Sequence, residues 1–142
     1  MLFVVSFGLN WLWEMLQMPA YVEMVGRSWS ATATTCALTG LGDAAITLLI
    51  YGVGALATGR TLWVTDYGYK AYAAAALAGA TSAVLIEWIA QGTGRWTYTS
   101  RMPVVPVLGT GLWPLLQLTV LVPLALWLAG LWERRPRTAD PN

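Results

Sequence analysis

Long apolar runs, interrupted at helical spacing by single polar residues, organise this chain. The first run, about 2–23, places Asn10, Glu14, Gln17 and Tyr21 at i, i+4, i+7 and i+11, one face of a helix. That face is expected to look inward, because lipid offers no partner to an amide or a carboxyl. A second run, about 36–58, carries Asp43, Thr47 and Tyr51 at helical spacing and is expected to stop at Gly59 and Arg60. Gly26, Arg27, Ser28 and the Ser/Thr/Ala segment after them read as a loop before it.

The third run, about 71–92, opens with Ala71, Ala75, Gly79 and Ala83 at every fourth position. Small residues in that register let helix backbones approach closely where lipid has removed the hydrophobic drive. Its far end carries Glu87 and Gln91. The fourth run, about 103–132, is interrupted by Pro103, Pro106, Gly109, Gly111 and Pro114. A helix broken in its first half is expected there, its freed backbone groups met by protein or by water in a cavity. Each run is long enough for the roughly 20 helical residues that cross a hydrocarbon core. The pattern predicts an all-α integral membrane four-helix bundle, with a single transmembrane domain over 1–132 and a short soluble tail over 133–142.

Composition narrows the chemistry. With 57% hydrophobic and 11% charged residues, the solvent of this chain is lipid. A net charge of +1 leaves no basic surface for nucleic acid. There is no His and one Cys, which removes a His-based proton relay, a Cys/His zinc site and an intrachain disulfide. The first run has no basic flank and contains Glu14, so it does not read as a cleaved signal peptide. Trp63, Tyr67 and Tyr69 among the charges of 60–70 have the make-up of a membrane-interface loop, and Trp29, Trp63, Trp127 and Trp132 fall where interface anchors belong. Arg60, Lys70, Arg134, Arg135 and Arg137 would share one side of a four-span bundle and Arg27, Arg95 and Arg101 the other, which favours both termini in the cytoplasm.

The stretch from Glu87 to Gln117 gathers what chemistry remains. At 1.5 Å per helical residue, Glu87 lies about 8 Å, Asp43 about 10 Å and Glu14 about 14 Å from one membrane face, beneath the turn holding Arg95, Trp96 and Tyr98. Acids from three helices at one depth imply a shared pocket. A carboxylate inside a bilayer costs at least about 2.5–3.5 kcal/mol, so it must pair, take up a proton or face water. Glu14, Asp43 and Glu87 are the candidate catalytic residues: one is expected to hold a proton and another to stay ionised, with Arg95, joined by Arg101, as clamp. Asn10, Gln17, Trp13, Trp88, Arg95, Trp96, Tyr98, Trp113 and Gln117 are the candidate substrate-binding residues. No metal or cofactor is called for by any motif; a hard-metal site from the three acids ranks below the other readings.

Three functions remain open. A lipophilic molecule such as an isoprenoid, carotenoid or other lipid would be bound, and acted on by acid/base chemistry as in an isomerase, cyclase or hydratase. A homo-oligomeric transporter would couple to protons or a cation at the same acids. A non-catalytic or pigment-organising subunit would dock in a larger membrane complex through a lipid-facing row of small residues.

Overall fold

A computed structural model of the chain describes residues 1–133. The expected soluble tail therefore lies outside the described residues, apart from Glu133 at the end of the last helix. In chain order the elements are α1 (Leu2–Gln17), α2 (Trp29–Thr58), α3 (Trp63–Tyr67), α4 (Tyr69–Gly92), β1 (Val104–Val105), β2 (Thr110–Gly111) and α5 (Leu112–Glu133). Three helices, α2, α4 and α5, are long and apolar enough to cross a membrane. α1, at 16 residues, is shorter than the roughly 20 that a crossing takes.

Several boundaries differ from the sequence expectation, each for a local reason. α1 stops at Gln17, not near 23: Pro19 follows, and the chain continues as two 3-10 turns, Met18–Ala20 and Val22–Met24. α2 begins at Trp29, so the Ser/Thr/Ala segment is helix rather than loop. Ser28 caps it by accepting from the Ala31 amide at 3.3 Å. The hydroxyls of Thr34 and Thr35 bond back to the Ser30 and Ala31 carbonyls, so the polar side chains are satisfied within the helix. Gly59 ends α2 in the left-handed region, as expected.

Trp63 is buried rather than interfacial: its indole donates to the Tyr51 carbonyl at 3.1 Å and lies against Gly54, where a Cβ would fall 2.3 Å from the ring. The last helix starts at Leu112, not at 103. The prolines and glycines before it form a small antiparallel hairpin pairing Val104 with Gly111 and Val105 with Thr110, while Pro114 occupies the first turn of α5, where its missing N–H costs nothing.

α5 lies between α1 and α4, α1 also lies along α2, and α2 meets α4. The row Ala71, Ala75, Gly79 and Ala83 is buried and turned inward, with Gly79 directly on the α5 backbone at Leu118. Leu118, Val122 and Leu126 of α5 fill the core beside it.

Candidate functional site

The buried polar face of α1 determines the site. Ser6, Asn10, Glu14 and Gln17 are its buried residues, four positions on one helical stripe. They meet Asp43 and Thr47 of α2 and Gln117 of α5. Gln117 is the hub: its Nε2 donates toward Asn10 Oδ1 (3.1 Å), Glu14 Oε1 (3.1 Å) and Asp43 Oδ2 (2.9 Å), and its Oε1 accepts from Gln17 Nε2 at 3.0 Å. Behind Gln17 stands Trp13, whose indole N–H donates to Gln17 Oε1 at 3.2 Å. Beyond Asn10, the Ser6 hydroxyl donates to Thr47 at 2.9 Å, and Thr47 donates to the Asp43 carbonyl at 3.0 Å. Such a network is worth more intact than its pairs suggest, because each polar group in a low-dielectric surrounding needs its partner.

Glu87, 2% exposed, is held separately by the segment that follows α4. Tyr98 donates its hydroxyl proton to Glu87 Oε2, and the Trp96 indole N–H donates to the same oxygen at 3.4 Å. The Tyr98 oxygen in turn accepts from Gln91 Nε2 (3.0 Å) and the Gly111 amide (2.8 Å). Burial, and then the bond to Glu87, push the Tyr98 phenol up, so it remains a donor in the ordinary pH range. Three backbone groups of the hairpin segment and the α5 start are met here: Gly111 N–H goes to Tyr98, the Leu108 carbonyl accepts from Trp88 at 2.8 Å, and the Leu112 amide donates to the Pro103 carbonyl at 2.7 Å.

A clasp ties this segment to the end of α1. Tyr21 and Tyr98 form a β-bridge, the Val22 amide bonds the Thr97 carbonyl at 3.0 Å, and the Thr99 amide bonds the Ala20 carbonyl at 2.9 Å. Glu23 Oε1 accepts from both the amide (2.8 Å) and the hydroxyl (2.7 Å) of Thr97. The slight burial of Glu23 opposes its ionisation, but the two Thr97 donors outweigh it and hold the carboxyl below its ordinary range. A lowered carboxyl contributes stability above the ordinary Glu value and loses it as pH falls through the folded-state value. Protection of the Thr97 amide from hydrogen exchange is therefore expected to drop in that acid window, and the acid step should be missing in Glu23→Gln.

Glu14, Asp43, Gln117 and Glu87 all line one cavity of about 610 Å³. Leu38, Ile46, Ile86 and Leu118 give it apolar walls, and Tyr21 and Trp96, edge to face with centroids 6.2 Å apart, an aromatic one. Glu23, Arg27 and Arg95 are exposed lining residues and mark its open end.

Of the residues expected at the site, Glu14, Gln17, Asp43, Glu87, Arg95, Trp96 and Gln117 line this cavity. Asn10, Trp13 and Tyr98 support it through the bonds just given. Trp88 and Trp113 do not belong to it. Trp88 borders a separate apolar groove of about 520 Å³ between α4 and α5, and Trp113 is partly exposed outside both. Arg95 is not a carboxylate clamp: its guanidinium sits 5.8 Å from the centre of the Trp96 ring, and among the described residues the ion pair is Arg60 with Asp66 at 3.1 Å. Arg101 is exposed and outside the cavity.

Among the described residues no three acids converge as a metal-ligand set. Cavity residues missed by the sequence reading include Thr35 and Thr39, which continue the Asp43 and Thr47 stripe at four-residue spacing, and Arg27 with Glu23 in the polar turn. Thr35 falls in the segment read as loop, whereas Thr39 lies inside the expected second helix, four residues before Asp43. Comparison with known proteins supplies no analogy for this arrangement: no family model matches the chain, and neither does a curated protein or a solved structure.

Proposed function

We propose that this is an integral membrane protein whose cavity binds a lipophilic molecule bearing a polar group and acts on it by acid/base chemistry. One observation carries the reading: carboxyls from α1, α2 and α4 open on one cavity whose remaining walls are apolar and aromatic. Sites for small molecules have that make-up, mostly apolar with a few convergent polar groups. In this reading α1 is a fourth crossing segment, lengthened by the turns through Met24, and both termini are cytoplasmic, as the Arg and Lys distribution favours.

A homo-oligomeric transporter coupled to protons or a cation draws on the same acids and is the second reading. The subunit reading loses its sign, because the small-residue row packs against α5 within the chain.

Native mass spectrometry of the full chain from mild detergent separates these. A defined lipophilic molecule retained by the wild-type protein, and bound at least about tenfold more weakly by Glu14→Gln and Glu87→Gln, is the expected result. An empty homo-oligomer would replace this reading with the transporter.

A further inference from the structure

We infer that Glu14 and Asp43 hold one proton between them and form the acid of the site, with Glu87 as the ionised base across the cavity. An indole N–H can only donate, so Trp13 makes the atom of Gln17 that it meets the amide oxygen. The Gln17 nitrogen must then be the donor to Gln117, whose accepting atom is Oε1.

Asn10 is oriented from the other end, since its Nδ2 donates to the Ser6 carbonyl at 2.9 Å and leaves Oδ1 facing Gln117. From both ends the same nitrogen, Gln117 Nε2, is turned toward three oxygens. That nitrogen carries only two hydrogens. Asn10 can bring no proton of its own and an amide nitrogen accepts none, so one of the three oxygens goes without a hydrogen unless Glu14 or Asp43 carries a proton and gives it to a facing oxygen.

Electrostatics points the same way. The two carboxyls reach the same nitrogen, which keeps the facing oxygens within about 6 Å of each other. No ion pair neutralises either among the described residues. The Thr47 hydroxyl is spent on the Asp43 carbonyl. One proton removes the like-charge repulsion and completes the hydrogen count together.

Glu87 receives the opposite treatment. Both lone pairs of the Tyr98 oxygen are taken by Gln91 and Gly111, which commits its single proton to Glu87 Oε2, and Trp96 adds a second donor to that oxygen. Two donors on one oxygen favour the ionised form of Glu87, which gains more from them than a neutral carboxyl would.

This assignment rests on the cavity reading above only for its chemical consequence. With a lipophilic alkene bound, the pair gives its proton to one carbon and Glu87 takes a proton from another. The double bond moves, the formula of the molecule is unchanged, and no oxidant, reductant or water is consumed. Exchange through the open end of the cavity then returns the proton.

Infrared spectroscopy of the full chain in lipid nanodiscs at neutral pH tests the proton directly. A carbonyl stretch of a protonated carboxyl, shifting in heavy water, is expected in wild-type protein and in Glu87→Gln, and is expected to vanish in the double variant Glu14→Gln, Asp43→Asn. No such band in wild type, or its loss in Glu87→Gln, overturns the assignment; those two spectra decide it even if the double variant fails to fold. A missing band beside a retained ligand overturns the proton placement alone, and a band in a protein that retains no ligand upholds the proton while removing the ligand reading.

Discussion

Gln117→Leu is expected to destabilise the bundle by at least about 3 kcal/mol, because one substitution strips partners from three buried groups and the half-buried Asp43 at once. Asn10, Glu14 and Asp43 lose the two N–H donors they share, and Gln17 loses its acceptor. Each such group left unsatisfied costs roughly 1–3 kcal/mol, and leucine returns only part of that by filling the space. Reversible unfolding in mixed micelles measures the loss. A change below about 1 kcal/mol would show that water takes the place of the amide, and the network would then be solvent-supported rather than a closed core. The effect should be far larger than for Gln91, whose amide lies in an exposed residue on Tyr98 and the Gly109 carbonyl.

Gly79→Ala is expected to cost about 1–3 kcal/mol or more through overpacking. Its new Cβ would stand 2.3 Å from the carbonyl oxygen of Leu118 and 2.8 Å from the carbonyl carbon. These are backbone atoms of a packed helix, so no rotamer change relieves the contact; α4 and α5 must move apart. Their separation would loosen Leu118, the neighbour of the Gln117 hub. Gly52→Ala is the matched control. It lies in α2 with nothing within 4 Å of the added methyl, and is expected to stabilise by up to about 1 kcal/mol through helix propensity. If both variants unfolded at the same point, the close approach of α4 and α5 would not be what holds this bundle.

These two residues also show where reading the chain succeeds and where it stops. Gly79 was legible as part of a row of small residues, yet periodicity alone left open whether the row faced a partner protein or a neighbouring helix. Gln117 was legible as one polar residue in an apolar run. Nothing in its spacing showed that it would bond side chains from α1 and α2, because those contacts cross more than 70 residues of sequence. Glu87 was legible as an intramembrane acid; its commitment to Tyr98 and Trp96 depends on how 93–111 folds back. The prolines and glycines of that segment were read as breaks in a helix, and they are a hairpin. A local signal says that a helix cannot continue, without saying what the chain does instead.

By itself the sequence determined three apolar helices long enough to cross a membrane, the helical periodicity and the polar residues that turn inward, since apolar length and i, i+4 spacing are local properties. Tertiary structure alone decided which donors meet which acceptors. That includes the division of the three acids into a Gln117-bridged pair and a Tyr98-held single carboxyl, the placing of Arg95 over Trp96 rather than on a carboxylate, and the exclusion of Trp88 and Trp113 from the cavity. A hydrogen bond depends on distance and direction to within tenths of an ångström, and those come only from how the helices pack.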